Sequence, residues 1–294
     1  MTKTENSFVC PIMKGQLGNQ LFICSTTLAY AWDYNAEALF YNLNRKENRT
    51  SYNKDRLFFR LKTVHPDRRF KHIFKEKVWY SSERIPFLED IVIEGYFQSW
   101  KHFHHHREKI LETFEPSQFT KNYIHNTYQH LLYRSDTVAV HVRTADHVVH
   151  ESSIPFLGEE YFINAMNLFP DHYHFVFFSD RINWCKNRFM KLKKNITFIE
   201  GNYAIEDMFL MAKCKHQIIG NSTFGWWAAY LTKDSEKKVV APERWIAEFE
   251  HPCPKQDLYL QGWLTVPFTK QPYPEDMYFY DQESLSDDNN VART

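Results

Sequence analysis

The chain has 294 residues, enough for one large domain or two of ordinary size, with ample core in either case. Lys plus Arg and Asp plus Glu number 36 each, so no net field marks a nucleic-acid or membrane-surface binder, and any anion site must be local. Five scattered cysteines without C-x-x-C or zinc spacing read as reduced, packed thiols, and with no apolar leader and no bilayer-length apolar run the chain reads as cytoplasmic and soluble.

Phe8 to Met13 reads as a short strand running into Lys14-Gly-Gln-Leu-Gly-Asn-Gln20, with a helix from there to about Tyr34. The turn matches neither the dinucleotide fingerprint nor a P-loop. Its physics is related: two glycines let the backbone come close to a ligand, and Asn19 with the first helical N–H groups can hold a negative oxygen, although a simple tight turn fits the bare pattern as well. Residues 41–90 read as irregular, with one or two short helices. Ile91 to Trp100 is a strand followed by a polar aromatic loop. On a helix His102 and His106 would share a face suited to a metal, but the run continues into Arg107, Glu108 and Lys109, so the reading is a solvated surface helix and no metal.

Thr137-Val-Ala-Val-His-Val142 has the β-branched run of a buried parallel strand and stops at Arg143, with Asp146 beyond. A guanidinium at the carboxyl end of a core strand points at whatever the sheet binds, and phosphate fits its fork; a simple Arg143–Asp146 pair is the competing reading. The alternation then becomes regular. Helices are expected over Gly158–Phe169, Arg181–Lys191, Ala204–Lys213 and Ser222–Leu231, and strands over Tyr173–Ser179, Asn195–Glu200, His216–Gly220 and Lys238–Ala241. That is a parallel α/β sheet with Arg143, Asp180, Gly201 and Asn221 at one edge. From about Pro242 the chain is rich in Pro and Trp, and the end reads as a disordered tail.

Glycine is scarce, 8 residues against the roughly 7% usual in proteins, and most of the 8 gather at strand ends, where the backbone has a use for them. In Asn221-Ser-Thr-Phe-Gly-Trp-Trp227, Ser222 and Thr223 open a helix whose dipole favours phosphate, a role compatible with plain N-capping. Asp207 is either a first-turn acid that suits the helix dipole or a carboxylate able to accept two hydrogen bonds from guanine. No D-x-D occurs, so a diphosphate would be met by Arg143 and helix N-termini, without a metal.

Gly15-Gln-Leu-Gly-Asn-Gln20, Gly95-Tyr-Phe-Gln-Ser99, His141-Val-Arg143, Phe178-Ser-Asp180 and Cys214-Lys-His-Gln-Ile-Ile-Gly-Asn-Ser-Thr-Phe-Gly-Trp-Trp227, in that order, resemble the α-1,2-fucosyltransferases of glycosyltransferase family 11 from about residue 9 to residue 245. The resemblance implies a GT-B-like α/β fold with two Rossmann-type lobes of parallel sheets flanked by helices. It divides the chain into an N-terminal lobe (1–133), a GDP-sugar lobe (134–245) and a segment that crosses back and ends in the tail (246–294). It implies inverting transfer of L-fucose from GDP-fucose to the 2-hydroxyl of a galactose-type glycan, with no metal or other cofactor. The acceptor would be free or lipid-linked, the latter placing the protein at a membrane periphery.

Residue by residue, the resemblance gives Arg143 the pyrophosphate, sets His141 beside the nucleotide and Asp207 on guanine, and gives Ser222, Thr223 and Phe224 the phosphate-binding turn. Gly18 and Asn19 match the first-lobe loop, and Glu151 the position of a carboxylate base in the more distant core α-1,6-fucosyltransferases. Asp146 is expected to orient Arg143. One departure stands out: where the family carries His-x-Arg-Arg-Gly-Asp-Tyr, this chain has His141-Val-Arg-Thr-Ala-Asp-His147, so Thr144 and Ala145 replace an arginine and a glycine. That leaves two alternatives, a transferase for another GDP-6-deoxyhexose and a catalytically silent sugar-nucleotide or glycan-binding protein.

Overall fold

The computed structural model describes residues 7–41, 43, 51–65, 67–78, 80–144, 154–246, 255–272 and 274. The chain divides into two compact units, one formed by Met1–Gln129, Tyr203–Phe209 and His251–Gln261, the other by His130–Asn202, Leu210–Glu250 and Gly262–Thr294. Among the described residues no helix is long and apolar enough to cross a membrane.

The first unit carries a parallel four-stranded sheet, built from β1 (Phe8–Pro11), β2 (Glu37–Ala38), β3 (His72–Lys75) and β4 (Ile91–Glu94) in the order β2-β1-β4-β3. Helix α1 (Leu17–Asp33) follows β1 and is buried round most of its surface, as an apolar helix covering a sheet must be. Tyr30 and Ala31 pack with Val9, Ile91, Ile93 and Phe97. Strand β3 falls in the stretch 41–90 that the sequence reads as irregular, and β2 falls just before it; β3 is a largely exposed edge strand, without the apolar alternation that betrays one. A short helix α2 (Ser51–Lys54) lies in the same stretch. The histidine run is two 3-10 turns, Trp100–His102 and His104–His106, rather than the start of a helix, and α3 (Arg107–Thr113) begins only after them. Helix α4 (Gln118–Leu132), kinked at Tyr128, was not anticipated, yet its buried Thr120, Ile124, Tyr128 and Leu131 keep nearly helical spacing in a polar sequence.

The second unit follows the expected alternation closely. Its strands are β5 (Thr137–Val142), β6 (His174–Ser179), β7 (Asn195–Phe198), β8 (His216–Ile219), β9 (Val239–Pro242) and β10 (Leu264–Val266). They form one six-stranded sheet in the order β10-β9-β8-β5-β6-β7, parallel throughout. Helices α5 (Gly158–Met166), α6 (Ile182–Phe189), α7 (Ala204–Lys213) and α8 (Thr223–Leu231) separate the strands in sequence and a short helix α9 (Lys255–Leu258) precedes β10, although α9 and residues 204–209 of α7 belong to the first unit. Strand β10, from the Pro- and Trp-rich segment, extends the sheet beyond the elements read from sequence. Every residue of β5 is buried, which is why it reads as a continuous apolar run.

Strand order locates the ligand edge. From β5 the chain moves outward through β6 and β7, then returns to lay β8 on the other side of β5. That reversal is a topological switch point, and in open α/β sheets ligands bind in the crevice outside the carboxyl ends of the strands there.

The core of this unit is rich in aromatic side chains. Phe177 on β6 is fully buried, with Phe189 of α6 at 4.9 Å and Phe198 of β7 at 5.3 Å between ring centroids. Phe177→Ala is expected to lower the unfolding free energy of the second unit by about 3–5 kcal/mol in urea titrations. The turn residues at the sheet edge lie outside this cluster, so a loss confined to below about 1 kcal/mol would show that the cluster does not carry the unit.

Candidate functional site

The site is built on the carboxyl ends of β5, β6 and β8, all in the second unit. Arg143 follows β5 directly, and its Nη1 lies 3.5 Å from Oδ2 of Asp180, the residue after β6. Thr144 is fully buried and donates both its backbone N–H and its hydroxyl to Asp180 Oδ1, each at 3.0 Å. One carboxylate therefore gathers the ends of two adjacent strands. Thr144, where the family pattern has a second arginine, is a structural partner of Asp180.

On the β8 side, Gly220 N–H donates to the His141 carbonyl at 3.1 Å, extending the β5–β8 pairing by one residue. Asn221 is buried and donates to the Pro155 carbonyl at 2.9 Å and the Trp245 carbonyl at 3.4 Å, which pins the turn. Ser222 caps α8, its hydroxyl accepting from Phe224 N–H at 3.3 Å. Ser222, Thr223 and Phe224 remain half-buried while the helix behind them is buried. A half-open helix N-terminus is a ready anion site.

His141 joins the two sides. It is buried, its ring 5.1 Å from that of Phe224, and a Cβ on Gly225 would stand 2.8 Å from its Nδ1. Glycine at 225 is what lets the imidazole lie against the helix. Burial drives the His141 pKa well below the ordinary imidazole value; the Arg143 charge pushes the same way, and the Asp180 carboxylate opposes without prevailing. His141 is thus a neutral ring at neutral pH, and Arg143 supplies the positive charge beside it.

In the first unit, Gly15 takes φ +73° and a Cβ there would strike Asn19 Nδ2 at 2.6 Å, so the turn requires glycine. Asn19 accepts from Gln98 Nε2 at 2.7 Å, and Gln20 donates to the Gly15 carbonyl at 2.9 Å. Gly18 is buried in the first turn of α1. Two sequence motifs, Gly15–Gln20 and Gly95–Ser99, are therefore joined by one amide pair. Glu76, absent from the sequence reading, holds the second: its Oε2 accepts from Tyr96 N–H at 2.7 Å and Phe97 N–H at 3.1 Å, and burial raises its pKa despite them.

Asp207 lies half-buried in the first turn of α7, beside the buried Glu206. Glu206 performs the capping, accepting from Tyr203 N–H at 2.7 Å and pairing with Arg56. Asp207 and Glu206 are both first-turn acids that suit the helix dipole, and the hydrogen bond back to Tyr203 comes from Glu206.

The solvated histidine helix does not hold, whereas the packed free cysteines do. His102 is half-buried rather than solvated; its Nε2–H donates to the Ser81 carbonyl at 2.9 Å and burial lowers its pKa. Cys10, Cys24, Cys185 and Cys214 are free and buried, and burial pushes the thiols of Cys10, Cys185 and Cys214 up to about 12. Asp146, Glu151, Cys253 and the expected tail lie outside the described residues.

The family model of glycosyl transferase family 11 matches residues 12–267, a span that takes in every described strand after β1. The chain belongs to glycosyl transferase family 11. Its relatives include an α-1,2-colitosyltransferase of Escherichia coli, 31% identical over 175 residues that cover 55% of this chain and 60% of that protein. A human galactoside α-(1,2)-fucosyltransferase 1 is 32% identical over 167 residues, 52% of this chain and 45% of that one. The matched stretch thus spans about half the length of the curated relatives. The fold is similar to that of the NodZ α-1,6-fucosyltransferase, solved after soaking with GDP-fucose, with a TM-score of 0.53 at 12% identity, covering 84% of this chain and all of that one. The family 11 chain is accordingly a GT-B-like α/β protein with parallel sheets flanked by helices.

The buried imidazole gives this family 11 chain a pH signature. Since the folded His141 pKa lies below the unfolded value, acid adds a proton to the unfolded chain first, so stability is full above about pH 6.5 and declines as pH falls below it. Urea titrations between about pH 7.5 and about pH 5 should show the decline, and His141→Asn should flatten it by up to about 1.4 kcal/mol per pH unit in the second unit's transition. An unchanged slope in the variant would mean that His141 is protonated in the fold.

Proposed function

We propose that this family 11 chain is an inverting, metal-independent α-1,2-fucosyltransferase that moves L-fucose from GDP-fucose to the 2-hydroxyl of a galactose-type residue. The observation that carries the proposal is the pairing, at one switch point, of Arg143 anchored on Asp180 with the half-open N-terminus of α8. Both are aimed at anionic oxygen, and neither needs a metal to meet a diphosphate. The galactoside relatives and the GDP-fucose soaked into the NodZ enzyme are consistent with that donor and acceptor.

In the proposed reaction the acceptor 2-hydroxyl attacks the anomeric carbon of fucose as the bond from that carbon to the phosphate oxygen breaks. The electron pair leaves with GDP. Arg143, Ser222, Thr223 and the Phe224 N-terminal turn stabilise the charge that develops on the diphosphate, in the manner of an oxyanion site. His141, neutral and packed on Phe224, shapes the wall beside the nucleotide without adding charge. The hydroxyl proton passes to Glu151 as general base, with Asp146 orienting Arg143. Gly18, Asn19 and Asp207 are proposed donor contacts on the family likeness, each testable by single substitution. The acceptor class extends to lipid-linked glycans met at a membrane periphery.

A second reading keeps the chemistry and changes the sugar. Thr144 stands buried on Asp180 where the family pattern has arginine, and the Escherichia coli relative is a colitosyltransferase, so a panel of GDP-6-deoxyhexoses belongs in the assay. A silent binding protein would release no GDP from any of them.

Arg143→Ala should cut turnover by about a hundredfold or more, by analogy with deleting one oxyanion donor, while leaving the fold intact. Arg143→Lys should restore little, because a point charge lacks the bidentate fork. A coupled assay of GDP release with galactoside acceptors reads both, and near-normal activity in a folded Arg143→Ala protein would sink the role. Turnover should also survive excess EDTA.

For the base, Glu151→Gln should lower turnover strongly with GDP affinity nearly unchanged, whereas Asp146→Asn should disturb both. Calorimetric GDP titration beside the rate measurement separates them. Wild-type rates in Glu151→Gln would remove that carboxylate from the mechanism.

A further inference from the structure

Asp33 is the last residue of α1, and the 3-10 turn that precedes α3 brings His105 and His106 back onto it. His105 Nε2 lies 3.0 and 3.1 Å from the two Asp33 carboxylate oxygens, and His106 Nε2 lies 2.7 Å from Oδ1. One nitrogen from each imidazole and one carboxylate oxygen fall within 4.8 Å of one another. All three residues belong to the first unit, and nothing in the reaction proposed above uses them.

We propose that Asp33, His105 and His106 form a binding site for a divalent transition-metal ion of the zinc class. Two imidazole nitrogens with one carboxylate suit zinc, nickel or copper, whereas magnesium and calcium prefer oxygen ligands throughout. Metal–ligand bonds of about 2.0–2.2 Å in a tetrahedral site set ligand atoms roughly 3.3 Å apart. From the carboxylate, His105 Nε2 at 3.0 Å is close to that spacing, and His106 Nε2 at 2.7 Å has to move outward by roughly half an ångström. Binding moves each ring proton from Nε2 to Nδ1, so the metal takes the place of the two hydrogen bonds, and water fills the remaining position. His106 is partly preset for this, since Trp32 packs edge-on against it with ring centroids 5.2 Å apart. Arg107, next to His106 in the chain, and Lys109, whose Nζ is 5.4 Å from the Trp32 ring centre, add opposing charge.

The consequence is structural. The site would clip the end of α1 to the turn before α3, and α1 at about 1.5 Å per residue sets it roughly 25 Å from the Gly15–Asn19 turn at the helix's other end. Loading the site should stabilise the first unit by mass action and leave transfer unaffected.

The test uses the full chain stripped with EDTA and dialysed, then titrated with Zn²⁺ by calorimetry and followed by thermal unfolding; Co²⁺ absorption reports the coordination and Cu²⁺ the quenching of Trp32. One Zn²⁺ per chain with a raised unfolding temperature is expected. Asp33→Asn and His105→Ala alter exposed side chains that the fold can spare, and each should weaken Zn²⁺ binding at least tenfold and abolish the stabilisation, with GDP release unchanged. Absence of stoichiometric Zn²⁺ binding, or affinity retained in both variants, overturns the proposal.

Discussion

The carboxylate of Asp180 is the constraint on which the candidate site depends. It accepts two hydrogen bonds from Thr144 and stands against the Arg143 guanidinium, so β5 and β6 end in one polar knot. Hydrogen bonds to a charged group are worth roughly 1.5–3 kcal/mol each, and a buried Thr144 left without its partner would forfeit the desolvation already spent on it. The knot does more than close the sheet. By holding the backbone at 144, it sets where the Arg143 side chain leaves the strand.

On the other side of β5 the constraint is steric. The helix that begins at Thr223 approaches so closely that only glycine fits opposite the His141 ring, and the ring in turn has lost its charge to burial. A charged imidazole there would compete with Arg143 for any anion and repel it from 141. Burial settles the division of labour: one cation, one neutral wall and one helix N-terminus, arranged on a parallel sheet at its switch point.

The first unit repeats the theme with amides. Asn19 and Gln98 join two loops through a side-chain pair, while Glu76 takes up two backbone N–H groups of the Gly95–Ser99 loop that has no ladder partner for them. A carboxylate spent in this way is structural, and its raised pKa reflects burial rather than a catalytic purpose.

Much of this was legible in the residues. The second unit's strands and helices announce themselves because a parallel sheet buried on both faces demands unbroken apolar runs, and each run ends in a polar or glycine residue at the ligand edge. Arg143, Asp180, Gly201 and Asn221 fall at those ends by counting alone. The edge strands β3 and β10 and the polar helix α4 escaped because exposed or half-covered elements carry little periodicity. That Asp180 stands against Arg143, that Glu206 accepts from Tyr203 N–H, and that His105 and His106 meet Asp33 were decided only by the tertiary structure. Thr144 and Asp180 are 36 positions apart and Asp33 and His105 are 72, and local pattern holds no information about such pairs. The sequence by itself determined where the chemistry-bearing groups leave the sheet; packing determined their partners and their charge.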